Sequence, residues 1–124
     1  DVADSISAQD GIIVLTHPYR RHKDIESVKD YVDVVEAFNA RTSDKFNRKA
    51  AAFAKKNKIP VIAGTDAHFY FEIGNGTTVL DANSADDIRR VILKGGKLLC
   101  RKSPFYVNIL TDANKLVKKF FRNG

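Results

Sequence analysis

Pro60-Val61-Ile62-Ala63-Gly64-Thr65-Asp66-Ala67-His68 is an apolar run that breaks abruptly into a carboxylate and an imidazole. Apolar residues without alternation are the pattern of a strand covered on both faces, as the strands of parallel sheets are. Two earlier segments share the design. Gly11-Ile12-Ile13-Val14-Leu15-Thr16 ends in His17-Pro18, where the proline stops the strand, and Val32-Asp33-Val34-Val35-Glu36-Ala37-Phe38-Asn39 reads as a buried strand interrupted by Glu36. A short helical turn is expected between them, around residues 27–31.

Helical periodicity fills the intervals. Ser43 or Asp44 can cap a helix in which Phe46, Ala50, Phe53 and Ala54 form one stripe, ended by Lys58 and Pro60. Residues 77–80 predict a fourth strand. Ser84-Ala85-Asp86-Asp87 resembles a capping box with Asp in place of Glu, opening a helix with Ala85, Ile88, Val91 and Ile92 on one face and Gly95-Gly96 at its end. Residues 97–101 predict a fifth strand. Thr111 is a candidate cap for a last helix that turns Ala113, Leu116, Val117, Phe120 and Phe121 inward and Lys115, Lys118, Lys119 and Arg122 outward.

Strands alternating with helices predict a single α/β domain over residues 1–124, with about five mostly parallel strands and right-handed crossovers. Five strands fall short of a closed eight-stranded barrel, whose usual length is about 250 residues. A sheet or part of a barrel is therefore expected. The chain contains no Met and opens Asp1-Val2-Ala3-Asp4, which predicts a fragment, a processed chain or an excised domain.

Of the 124 residues, 44% are hydrophobic and 29% charged, which excludes a disordered or fibrous chain. No window approaches the run of about 18 apolar residues that a membrane span requires, and the acidic start is not a targeting peptide. The lone Cys100 excludes an intrachain disulfide and favours a reducing, cytoplasmic setting. The net charge of +6 is uneven. Residues 1–43 carry 5 basic and 8 acidic side chains, the remainder 16 and 7. Such a field suits phosphate-bearing ligands or nucleic acid, although solubility alone also accounts for it.

Ligands of parallel α/β folds bind at the carboxyl ends of the strands. Here those ends deliver His17, then Glu36 and Asn39, then Asp66 and His68. The last two, two apart, share a face if the strand geometry continues. Carboxylate plus imidazole suits Zn, Mn or Fe, and such a site can activate water and hold phosphoryl oxygens. Taken singly, the structural readings are favoured, His17 capping its strand and Asp66 accepting loop hydrogen bonds; three coincident strand ends reverse that and favour the site.

The segments Leu15-Thr16-His17-Pro18-Tyr19-Arg20, Val35-Glu36-Ala37-Phe38-Asn39-Ala40-Arg41, Ala63-Gly64-Thr65-Asp66-Ala67-His68 and Glu72-Ile73-Gly74 resemble the carboxyl-terminal half of a PHP (polymerase and histidinol phosphatase) domain. The resemblance covers residues 11–80, more loosely to 100. It implies a distorted β/α barrel with up to three metal ions and phosphoester hydrolysis by a metal-activated hydroxide. His17, Asp66 and His68 match the family's metal ligands. Glu36, Asn39 and Arg41 match positions that support the site, Glu36 as a buried partner for Arg20 or Arg41. Arg20 and Arg21 are candidates for binding phosphate, with a solvated charge run as the alternative. His22 reads as a surface histidine. Phe69, Tyr70 and Phe71 either wall the pocket or pack beneath the loop.

The family also opens with a His-x-His element, and this chain contains only His17, His22 and His68. The resemblance therefore implies that the barrel is completed by an amino-terminal segment or another subunit, and that the isolated chain is inactive. The expected substrate is a phosphorylated small molecule or a nucleotide. The competing expectation is a non-catalytic module that contacts nucleic acid or a protein through its basic second half.

Overall fold

The computed structural model describes residues 2–21 and 24–122. His22, expected at the surface, lies outside them. The element order is α1 (Val2–Ser7), β1 (Val14–Leu15), α2 (Pro18–Arg21), a 3-10 turn (Lys29–Tyr31), β2 (Val34–Asn39), α3 (Asp44–Asn57), β3 (Val61–Gly64), a second 3-10 turn (Tyr70–Glu72), β4 (Gly76–Val79), α4 (Ile88–Ile92), β5 (Lys97–Cys100) and α5 (Tyr106–Arg122).

The first three strands form a parallel sheet in the order β1-β2-β3. Central β2 is almost wholly buried, because it has a neighbour on either side and α3 across one face; β1 and β3 are only half-buried. The stripe predicted on α3 supplies the cover. Ala50, Phe53 and Ala54 pack with Ile25 and Val35, and Leu15, Tyr19, Val32, Ile59 and Val61 close around them. Burial of Phe53 alone contributes about 1.5–3 kcal/mol. Ser43 caps α3 by accepting from the Phe46 N–H, and Lys58 ends it in the left-handed region at φ 57°. Proline opens α2, where its missing N–H costs nothing.

Past β3 the chain departs from the expected parallel pairing. Strands β4 and β5 form a separate antiparallel pair, Gly76 opposite Cys100 and Val79 opposite Lys97. The connection over residues 80–96, with the short helix α4 (Ile88–Ile92) inside it, reverses the chain, and β5 returns beside β4 in the opposite direction. The pair still abuts β3: the Thr78 hydroxyl accepts from the Ala63 N–H at 2.9 Å, standing in for a ladder bond. A Cβ on Gly76 would collide with the Gly64 backbone, so this approach requires glycine. The described residues thus form a mixed α/β fold, not a closed barrel.

Two helix expectations also need correction. Ser84 does not cap α4; residues 84–87 form a turn, and the Asp87 carboxylate accepts from Arg90 Nη2 at 2.8 Å. Asp is one methylene short of the Glu that reaches back in a capping box. Thr111 does not cap α5 but lies inside it, donating to the Val107 carbonyl four residues back at 2.8 Å. Only the start of α5 docks, through buried Val107 and Thr111, while Ala113, Leu116, Val117 and Phe121 are exposed rather than inward.

Candidate functional site

Glu36 is the node under the strand ends. Its Oε2 accepts from the His17 N–H at 2.6 Å and from Asn39 Nδ2 at 3.2 Å, joining the ends of β1 and β2. Residues three apart on a regular strand point to opposite faces. Here β2 carries an irregularity between Glu36 and Phe38, where one residue is left out of the pairing with β3, and the slip returns Glu36 and Asn39 to one side. The Glu36 carboxylate lies over Gly64 of β3, in the space a Cβ would take. Neither Arg20 nor Arg41 is its hydrogen-bonding partner. Asn39 is equally structural: Oδ1 accepts from the Arg41 and Thr42 N–H groups at 3.0 Å each.

The loop after β3 is fixed by a second buried carboxylate. Glu72 has no solvent exposure, and its Oε2 accepts from the His68 N–H at 3.0 Å and the Phe69 N–H at 3.2 Å. Its Oε1 lies 3.6 Å from Arg41 Nε. Burial pushes this carboxyl upward, but the His68 N–H, the Ser103 hydroxyl, the Arg41 charge and the Phe69 N–H together outweigh it and hold the group below its ordinary value. Arg41 carries the connection on to α5, donating through Nη2 to the Val107 carbonyl at 2.8 Å and the Thr111 hydroxyl at 2.6 Å, and through Nε to Asn108 Oδ1 at 3.2 Å.

These supports surround a cavity of about 210 Å³ lined by His17, Arg20, Arg41, Asp66 and His68 from the strand-end segments, with Asn108, Thr111, Asp112 and Lys115 of α5 opposite. Both His17 (φ 31°) and Asp66 (φ 49°) adopt the left-handed backbone region, a strain of about 1–3 kcal/mol each that concentrates at functional sites. His68 engages Nδ1 with the Asp66 carbonyl oxygen at 2.8 Å, leaving Nε2 as its outward nitrogen. Arg20 Nη1 lies 2.5 Å from Asp66 Oδ2. Arg41 Nη1 is buried and has no hydrogen-bond partner among the described residues.

His17, Asp66 and His68, expected as ligands, thus reach one cavity. Their donor types suit a transition ion, but their arrangement does not fit one: Arg20 holds the Asp66 carboxylate, and among the described residues no three His, Cys, Asp or Glu side chains are grouped to bind a metal. Arg20 faces a carboxylate, not open solvent. Phe69, Tyr70 and Phe71 do not line the cavity. Phe69 stacks on Phe71 at 5.5 Å, and Tyr70 is 87% exposed. The α5 wall was missed because the apolar periodicity of α5 said nothing of its polar edge; the spacing Asn108, Thr111, Asp112, Lys115 is the available signal, one polar helical face.

The family described as PHP-associated matches residues 44–96. An uncharacterized protein of Methanocaldococcus jannaschii is 34% identical over 86 residues, a match covering 60% of this chain and 36% of that protein. The chain therefore aligns with about a third of its relative's length. No solved structure matches it significantly. Among the described residues no helix is long and apolar enough to cross a membrane. The matched span begins at the first residue of α3, runs through Asp66, His68 and Glu72, and ends at the glycines before β5; over residues 44–96 the chain is similar to the PHP-associated family, consistent with the carboxyl-terminal region of a PHP protein.

Proposed function

We propose that the chain forms part of the active-site end of a PHP-type phosphoesterase acting on a phosphorylated small molecule or a nucleotide. The observation that carries this reading is the cavity itself, where Arg20, Arg41 and Lys115 gather beside His17, Asp66 and His68. The Arg20 guanidinium and the Lys115 ammonium are the kind of donors that suit a phosphoryl oxygen. Lys115 binds the anion in this reading, and Arg20 orients it. Divalent ions (Zn, Mn or Fe, up to three in a complete centre) belong to the same proposal. His17, Asp66 and His68, whose arrangement alone does not form a metal site, would supply part of the ligand set, and an amino-terminal segment or another subunit would supply the rest and complete the barrel. A cytoplasmic setting accords with the exposed Cys100 thiol.

The test is release of phosphate from p-nitrophenyl phosphate and from nucleotides in the presence of Mn²⁺, together with metal content by elemental analysis. Both are measured on the chain alone and on the chain joined to any amino-terminal segment of its gene. Asp66→Ala should remove bound metal and turnover together; a variant with full turnover would sink the proposal.

A second reading is a non-catalytic module that binds nucleic acid. It is favoured by the exposed lysines Lys115, Lys118 and Lys119 on α5. Its signature is affinity for single- or double-stranded nucleic acid that falls steeply with salt, and no binding at low salt counts against it.

A further inference from the structure

Helix α5 turns its apolar stripe away from the body of the protein. It docks through buried Val107 and Thr111, both held by Arg41. Two residues further along is about 200° round a helix, so Ile109 and Ala113 point the opposite way. Leu110, Leu116, Val117 and Phe121 continue the face that these two open, and Ile109, Leu116 and Phe121 are 64%, 69% and 84% exposed. Every residue from 112 to 119 is exposed, so this part of the helix stands clear of the body. An apolar face of such continuity marks a surface that meets something other than water.

Charge selects the occupant. Residues 113–124 carry four basic side chains and no acidic one. Lys118 lies about 60° round the helix from Phe121, and Lys119 about 60° from Leu116, so the two lysines border the stripe on its two sides. Among the described residues no ion pair holds either of them. A second copy seated on the stripe would set the same lysines against these, like charge against like, and the nearest acid, Asp112, is already paired with Lys115 at 3.2 Å. An anionic lipid surface satisfies both features together, because the stripe enters the acyl boundary while the flanking lysines extend to the headgroup phosphates.

We propose that α5 is an interfacial helix that docks the protein on anionic membranes. Its 17 residues span about 25 Å, and its lysines forbid burial across a bilayer, so the helix lies in the plane of the surface. The cavity residues Asn108, Thr111, Asp112 and Lys115 occupy the side of α5 opposite the stripe, so the docked protein keeps its cavity open to solution. The inference goes beyond the phosphoesterase reading and does not depend on it.

The test is cosedimentation with vesicles of phosphatidylcholine alone and of equal parts phosphatidylcholine and phosphatidylserine, for the chain and for the chain joined to any amino-terminal segment of its gene. Both proteins should partition onto the anionic vesicles far more than onto the neutral ones, and the partition should fall as salt is raised. Lys118→Gln with Lys119→Gln should weaken it about 25-fold, about fivefold per lysine near the surface. Leu116→Gln with Phe121→Gln should weaken it about a hundredfold, by loss of two inserted apolar side chains. All four side chains are exposed, so the melting curves of both variants should match that of wild type. Loss of binding in the apolar variant also separates membrane docking from the nucleic-acid reading, which uses the lysines alone. No partition onto anionic vesicles, or a partition that Leu116→Gln with Phe121→Gln leaves intact, overturns the proposal. A dimer in sedimentation equilibrium that the apolar variant dissolves places a second copy on the stripe and overturns it. Partition by the chain alone and not by the joined protein shows that the amino-terminal segment covers the stripe, and overturns it likewise.

Discussion

Replacing Arg41 by Met tests whether the site is built on a buried ion pair. Arg41 is 6% exposed and Glu72 is fully buried, with Nε and Oε1 3.6 Å apart. Truncating one partner of such a pair leaves the other charged without compensation, at a cost of about 3–5 kcal/mol. Glu72 keeps the N–H groups of His68 and Phe69, which lowers the cost toward the bottom of that range. The variant also loses the three hydrogen bonds that tie the segment after β2 to α5, at Val107, Asn108 and Thr111. We expect a net loss of about 3 kcal/mol. For a chain of 124 residues the unfolding entropy converts each kcal/mol to about 4 °C, so the melting temperature should drop by about 12 °C.

The assay is thermal and urea denaturation of the wild type, Arg41→Met, Glu72→Gln and the double variant. In the double variant the stranded charge is absent, so its destabilisation should fall short of the sum of the two single effects by about 1–3 kcal/mol. An Arg41→Met protein within about 1 kcal/mol of wild type, or strictly additive effects, would refute the reasoning, since a pair that matters cannot be removed silently.

The same carboxylate sets a pH dependence. The Glu72 carboxyl is held below its ordinary value in the folded chain. Its contribution is therefore complete above the unfolded range, about pH 4–5, and is lost as pH falls through the depressed folded value. Glu72→Gln should flatten that part of the melting-temperature profile relative to wild type, and parallel profiles would contradict it. Gly64→Ala places a methyl group where the Glu36 carboxylate lies, so Glu36 must release the His17 N–H. Urea unfolding should show a loss of about 1–3 kcal/mol with weakened phosphate binding, and an unshifted midpoint would show that Glu36 has room to move. Ser43→Ala removes the cap of α3 and should cost about 1 kcal/mol, read as a melting temperature lower by about 4 °C.

The parts legible in the sequence are those where one local signal decides the structure. The run ending at Asp66 gave β3, the Ser43 cap and the stripe through Phe53 gave α3, and His17-Pro18 marked the end of β1. Illegible were the parts decided by partners distant in sequence. Whether residues 97–100 pair parallel or antiparallel depends on the path of residues 80–96, which no local pattern fixes, and the cap expected at Ser84 does not form. Thr111 has the composition of a cap, but Arg41, seventy residues away, anchors it within α5.

The site divides along the same line. Strand-end position was enough to nominate His17, Asp66 and His68, because a parallel sheet presents the carboxyl ends of its strands on one side. It was not enough to assign Glu36 and Glu72, whose roles follow from features that sequence spacing conceals. Glu36 meets Asn39 only because β2 slips by one residue, and Glu72 reaches the His68 N–H only because the chain turns through 70–72. Both are buried acids that accept from the backbone N–H of a candidate site residue, Glu36 from His17 and Glu72 from His68. They hold His17 in left-handed backbone and fix the loop in which Asp66 is held likewise. The strain at the two half-buried strand ends is sustained by carboxylates placed beneath them, so substitution at Glu36 or Glu72 should alter the cavity as surely as substitution at a residue lining it.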